Sequence, residues 1–113
     1  MKKINSQRGK SVYKTNYNPK TGFNQIMKLL KGKVEFLKGG KNLMSNSYYI
    51  EAGNDDYSKN IEIRVSDHTK FLDDLLGEKH MLILKQTKTD LQLDIVSQEN
   101  FDKGISILKD FVK

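Results

Sequence analysis

Few side chains in this sequence have types and spacings that could do chemistry. Asp67-His68 follows directly on Ser66, and His80 is the second of two imidazoles. A carboxylate beside an imidazole is the raw material of general acid–base catalysis, and a nearby hydroxyl would add a nucleophile. Chain adjacency does not build that geometry, because successive residues at a strand end point to opposite sides and a catalytic triad is a spatial arrangement. Two imidazoles with no third ligand in register do not make a catalytic metal site either. Asp67 is therefore read as a helix cap. Gly32-Lys33 and Gly39-Gly40-Lys41-Asn42 set ammonium groups beside permissive backbone, as phosphate-binding loops do. No Gly-x-x-x-x-Gly-Lys-Ser/Thr occurs, however, and turn glycines account for both. Asp55-Asp56 with Ser58 and Asn60 offers oxygen ligands but lacks the spacing, central glycine and closing glutamate of a calcium loop, so it reads as a hairpin turn. With no cysteine there is no thiol nucleophile, disulfide or cysteine-bound zinc. The expectation is a non-enzymatic protein without a cofactor.

The stronger chemical pattern is cationic. Residues 1–45 hold eleven of the twenty Lys and Arg and a single acid, Glu35, for a net +10; residues 46–113 hold nine bases and thirteen acids, for a net −4. Lys10, Lys14, Lys20, Lys28, Lys31, Lys33, Lys38 and Lys41 are interleaved with Tyr13 and Tyr17. Lysines neutralise phosphates and release counterions, and exposed tyrosines stack on unpaired bases, so the combination suits single-stranded or irregular nucleic acid. Arginine, the usual bidentate reader of guanine, occurs only at Arg8 and Arg64, which favours backbone contact over sequence reading. The competing account is a solubilising tail whose tyrosines pack back on the domain. Asp73-Asp74 and Asp94 are expected on solvated faces, where an acidic surface could also dock a basic protein.

These groups must be positioned by a small fold. The 113 residues suit one domain. Residues 1–20 have only Ile4 and Val12 as aliphatics and cannot recover their ordering entropy by burial, so they read as a basic flexible arm, with the domain over 21–113. Thr21 is expected to cap a helix through Phe23, Ile26, Met27, Leu29 and Leu30, ending near Gly32. From Lys33 the period falls to two, predicting a strand over 33–38 that Gly39-Gly40 breaks. Ser47–Ala52 and Asn60–Ser66 are expected to pair as a hairpin across Gly53-Asn54-Asp55-Asp56. Ser66 or Asp67 would then cap a short helix carrying Phe71, Leu72, Leu75 and Leu76, closed by Gly77. His80–Thr87 and Asp90–Ser97 form a second expected hairpin, its first strand central because Met81-Leu82-Ile83-Leu84 is apolar on both sides. Ser97 caps a last helix with Phe101, Ile105, Leu108 and Val112 in register, weakened at Gly104 by about 1 kcal/mol relative to Ala.

Strands joined by tight turns, without regular alternation with helices, predict an α+β fold. It would have a five-stranded, largely antiparallel sheet, an N-terminal helix, a short middle helix and a C-terminal helix. Strand 33–38 or strand 60–66 could form an edge that pairs across a homodimer. Met1-Lys2-Lys3-Ile4 is not followed by an apolar stretch and no run is long enough to span a bilayer, so the expected setting is cytoplasmic, without a membrane partner.

Tyr48-Tyr49-Ile50 followed by Ile61-Glu62-Ile63-Arg64-Val65-Ser66-Asp67-His68 resembles a strand-turn-strand block of small phage and conjugative-element proteins. It covers about a fifth of the chain. The resemblance implies a mobile-element setting, in which small non-enzymatic proteins handle nucleic acid or block host defence machinery as anti-CRISPR proteins do. Two partner classes are therefore expected: nucleic acid or a nucleoprotein complex, and alternatively a host defence protein.

Overall fold

The computed structural model describes residues 17–67 and 82–113. The expected middle helix, His68, His80 and the arm residues Lys10, Tyr13 and Lys14 lie outside them. The elements run α1 (Pro19–Leu30), β1 (Phe36–Lys41), β2 (Ser47–Gly53), β3 (Asn60–Ser66), β4 (Ile83–Gln86), β5 (Asp90–Ile95) and α2 (Gln98–Phe111). The fold is α+β, as expected.

Helix α1 starts earlier than Thr21 because Pro19 supplies a first-turn residue whose fixed φ is already helical. Asn18 caps it, its Oδ1 accepting from Lys20 N at 2.9 Å. Residues 17–20, assigned to the arm on composition, therefore belong to the folded body. Gly22, Ile26 and Leu30 form the buried stripe of α1. Helix α2 begins where the sequence placed it, with Ser97 Oγ accepting from Asn100 N at 3.1 Å.

The sheet order is β1-β2-β3-β5-β4. Three of its pairings are antiparallel, and β3 with β5 is parallel, matching Ile61 to Leu91, Ile63 to Leu93 and Val65 to Ile95. Those six side chains point to the same face, where they meet Ile26, Leu30, Phe101 and Leu108 from the two helices. Packing α1 over β1, β2 and β3 and α2 over β5 buries one face of the sheet. Each fully buried aliphatic contributes about 1.5–3 kcal/mol.

Two expectations fail for packing reasons. Strand β4 is an edge, not central: a register irregularity between Ile83 and Lys85 leaves Leu84 58% exposed, so the apolar run does not mark two buried faces. Strand 60–66, offered as an edge, is the middle of the sheet, whereas β1 is an edge. Gly39 and Gly40 do not break β1 but extend it. A Cβ at Gly39 would fall 2.8 Å from Met27 Sδ and Phe23 Cζ, so the missing side chain is what lets α1 lie down on this strand. Gly104 has a similar reason: a Cβ there would sit 3.0 Å from Ile95 Cδ1, where α2 approaches β5.

At the β2–β3 turn a methyl on Gly53 would collide with the Lys59 backbone oxygen, which cannot move aside because it accepts from Asn54 N at 3.0 Å. Gly53→Ala is expected to cost about 2 kcal/mol and to lower the melting temperature by roughly 10 °C. Gly40→Ala, with nothing within 4 Å of the new methyl, should leave it nearly unchanged, and thermal melts of the two variants decide the point.

Candidate nucleic-acid interface

The chain order of the charges becomes a spatial order because the first helix and first strand stay together at one side of the sheet. Residues 18–46 carry six lysines and one carboxylate, Glu35. Residues 47–67 carry Lys59 and Arg64 against Glu51, Asp55, Asp56, Glu62 and Asp67, and residues 82–113 carry five lysines and five carboxylates. Helix α1 lies mainly over β2 and β3 and less over β1, and α2 lies over β5, so the excess cations belong to the β1–β2–β3 half of the sheet and the helix that covers it.

Each candidate lysine takes a distinct place on these elements. Lys20 sits in the first turn of α1, Lys28 in its last turn, Lys31 at its C-cap and Lys33 in the turn that follows, all exposed. Lys38 projects from β1 on the sheet face that the helices leave open. Lys41 ends β1, and its Nζ donates to Asn42 O at 3.1 Å and Ser45 O at 3.0 Å, 6.0 Å from the Tyr48 ring centroid. Among the described residues none of these six joins an ion pair; the pairs there are Arg64–Asp94, Lys85–Asp90, Lys103–Glu99 and Lys113–Asp110. The one local carboxylate, Glu35, accepts from Asp55 N through Oε1 at 2.6 Å, and its single charge does not balance six lysines. Of the six, only Lys38 and Lys41 lie on β1, a strand about 20 Å long, and three residues apart they project from opposite faces of it.

Tyr17 is not the free stacking ring that its neighbouring lysines suggested. Its hydroxyl donates to Ser66 O at 2.8 Å and lies 3.3 Å from Ile95 O, joining the ends of β3 and β5. Burial first, and then the charges of Asp67 and Asp94, push its phenol well above the ordinary tyrosine value. The ring is half-buried against the core. Ser66, whose place beside Asp67 and His68 the sequence does not make a triad, is fully buried, and its Oγ has no hydrogen-bond partner among the described residues. Asp67 accepts from Asn46 Nδ2 at 2.9 Å.

The open face of the sheet is a second surface, which period-two reading placed as solvated but did not recognise as concave. It forms a depression of about 520 Å³ lined by Lys38, Tyr49, Glu51, Glu62, Arg64 and Leu84 among others. The register sets Lys38 opposite Glu51, Glu51 opposite Glu62, Glu62 opposite Gln92 and Gln92 opposite Lys85, so two glutamates stand side by side in mid-row. In the next row Arg64 makes a bidentate pair with Asp94, Nε–Oδ1 2.6 Å and Nη2–Oδ2 2.8 Å. Asp94, expected on a solvated face, is only 14% exposed, and its hydrogen bonds hold the Arg64 guanidinium above its ordinary value. With Arg64 engaged and glutamates at the centre, the concavity is electrostatically wrong for phosphates. The lysine edge is right for them.

Among the described residues no helix is long and apolar enough to cross a membrane. Compared with family models, with curated proteins and with solved structures, the chain matches none.

Because the folded state raises the Tyr17 phenol, the stability it adds is whole below the unfolded value of about 10 and is lost as pH rises beyond it. Tyr17→Phe, which removes hydroxyl contacts to Ser66 O and Ile95 O, should destabilise by about 1 kcal/mol at pH 7. It should also flatten the decline of stability above about pH 10. Chemical unfolding of both proteins from neutral pH upward, compared as a difference so that lysine titration cancels, checks both outcomes.

Proposed function

We propose that the protein is a non-enzymatic module that binds nucleic acid, free or within a nucleoprotein, by its phosphate backbone. The observation that carries this reading is the set Lys20, Lys28, Lys31, Lys33, Lys38 and Lys41 on α1, the turn after it and β1, set against the single carboxylate Glu35 and outside the ion pairs of the described residues. Cations gathered on one side and unmatched by carboxylates attract a polyanion and release its counterions on contact. Lysine supplies point charges rather than planar forks, so affinity should depend little on base sequence. Lys10, Lys14 and Tyr13, which the sequence adds to the same cationic set, lie outside the described residues. The resemblance of the Tyr48–Ile50 and Ile61–His68 block supports a role in a phage or another mobile element, acting in the cytoplasm.

A second reading is favoured by one observation, the concave open sheet face with Tyr49 45% and Leu84 58% exposed. An exposed aromatic and an exposed aliphatic beside polar groups suit a protein partner better than phosphates. On this reading the protein docks on a host defence protein and inhibits it.

For the first reading, the logarithm of the affinity for single-stranded and duplex DNA or RNA should fall linearly with the logarithm of salt. The triple variant Lys28→Ala, Lys31→Ala, Lys38→Ala should lower the slope by about 0.7–0.9 for each phosphate contact removed. Salt-insensitive or absent binding in fluorescence anisotropy would sink the proposal. For the second, Tyr49→Ala with Leu84→Ala should abolish capture of a host protein from nuclease-treated lysate at high salt while leaving the DNA salt slope intact. Retention of that capture would remove the concave face from consideration.

A further inference from the structure

Leu43 and Met44 are 94% and 92% exposed, side by side at the tip of the β1–β2 hairpin. The loop that carries them is closed by Asn42 N donating to Ser47 O at 2.9 Å, and Met44 N donates to Asn42 Oδ1 at 2.7 Å. Lys41 Nζ binds the carbonyls of Asn42 and Ser45, and Ser45 Oγ donates to Ser47 Oγ at 3.2 Å. The backbone is thus held in a shape that keeps two large apolar side chains out in water, although the ring of Tyr48 lies close by in the core. Single exposed hydrophobics need no explanation, but an adjacent pair presented by a hydrogen-bonded tip at the end of a cationic edge does.

We propose that this tip is a wedge: Leu43 and Met44 insert into a base step, unstacking it, while the phosphates on either side lie along the lysines of β1 and α1. The inference rests on the nucleic-acid reading above and adds its mode and preferred substrate. Insertion of Leu or Met between bases exchanges stacking for burial of the side chain, and it is easiest where stacking is already weak. The substrate class is therefore nucleic acid that is bulged, mismatched or readily kinked. A lipid surface could also take an apolar tip with neighbouring cations, but it would need those cations ringed around the tip in one plane. Here only Lys41 stands beside the tip; Lys38 lies three residues back on the other face of β1, and Lys31 and Lys33 precede the strand. The cations recede from the tip along the strand instead of ringing it, which fits an extended polyanion better than a plane of headgroups.

The test uses the full chain and a duplex carrying a central two-nucleotide bulge flanked by 2-aminopurine, whose fluorescence rises when it is unstacked. Wild type should raise the fluorescence and bind the bulged duplex more tightly than the intact one. Leu43→Ala with Met44→Ala should keep the salt slope, lose about tenfold in affinity for the bulged duplex and abolish the fluorescence rise. Both side chains are almost fully exposed, so the variant should fold as the wild type does, which far-UV circular dichroism verifies. Salt-dependent binding with no fluorescence rise, or with the rise unchanged in the variant, overturns the wedge and leaves the polyanion reading standing. Absence of binding to any nucleic acid overturns both. Binding to phosphatidylserine vesicles that the variant loses, without unstacking of the duplex, overturns the wedge and assigns the tip to lipid.

Discussion

The parallel pairing of β3 with β5 is the contact on which the rest of the molecule depends. It joins two pieces that would otherwise share little: α1 with the β1–β2–β3 meander, and the β4–β5 hairpin with α2. The seam is closed on three sides by different means. On the covered face Ile61, Ile63 and Val65 stand beside Leu91, Leu93 and Ile95, all nearly inaccessible. On the open face the Arg64–Asp94 pair spans it in register. At its upper end the Tyr17 hydroxyl reaches the last carbonyl of each strand. The apolar burial is the largest of these, since much of what the Arg64–Asp94 pair gains by its charge is offset by the desolvation of two partly buried groups. The polar contacts add specificity: the fork fitted to one carboxylate fixes the register, and a phenol reaching the last carbonyl of both strands requires that they run the same way.

That seam also decides where charge goes. Because β3 is occupied on both sides, the meander extends away from β5, with α1 over β2 and β3 and β1 as the far edge. Sequence neighbours therefore stay spatial neighbours, and an excess of lysine in one stretch of chain becomes an excess on one flank of the molecule. Had β1 paired beside β5, the same lysines would have faced Asp90 and the acids of α2. Six cations along an edge repel one another, but in water of ordinary ionic strength they are screened over roughly 8–10 Å, so the repulsion is tolerable for folding. A polyanion relieves it.

How much of this was legible in the chain can be argued residue by residue. Strand β3 and the start of α2 were readable because local signals agreed: alternating Ile61, Ile63 and Val65 between turn residues, and Ser97 before a 3.6-residue stripe. The beginning of α1 was misplaced because Pro19 reads first as punctuation and only in context as a helix opener. Gly39 and Gly40 read as a break because sequence patterns price glycine by its entropy. They cannot show that Phe23 and Met27 require the vacant space above Gly39. The apolar run into β4 overstated its burial, since a bulge turns Leu84 outward and periodicity does not announce bulges. The direction of β5 against β3 was out of reach for a simple reason: alternation looks the same along a strand in either sense. Tyr17 was misjudged because an arm boundary drawn on composition cannot see two carbonyls brought together from 49 and 78 residues away.

The two exposed surfaces are separated by electrostatics as much as by position. Lys38 borders both, on the edge strand and at the lip of the concave face, but its cross-strand neighbour is Glu51, and Glu62 stands beyond. A phosphate moving from the edge onto the open face would leave a flank of lysines to meet two carboxylates. A like-charge encounter of that kind costs more than the contacts it would gain. On the proposed reading a polyanion would be kept from the open face, where Tyr49 and Leu84 stand exposed beside the two glutamates. The row of charges across the sheet thus works as a boundary between surfaces of different chemistry. It arises from register alone, because a shift of one residue between β2 and β3 would bring Glu51 and Glu62 out of line and carry Ile50 or Ile63 into water. Burial of the isoleucines fixes that register, and the charge boundary on the opposite face follows from it.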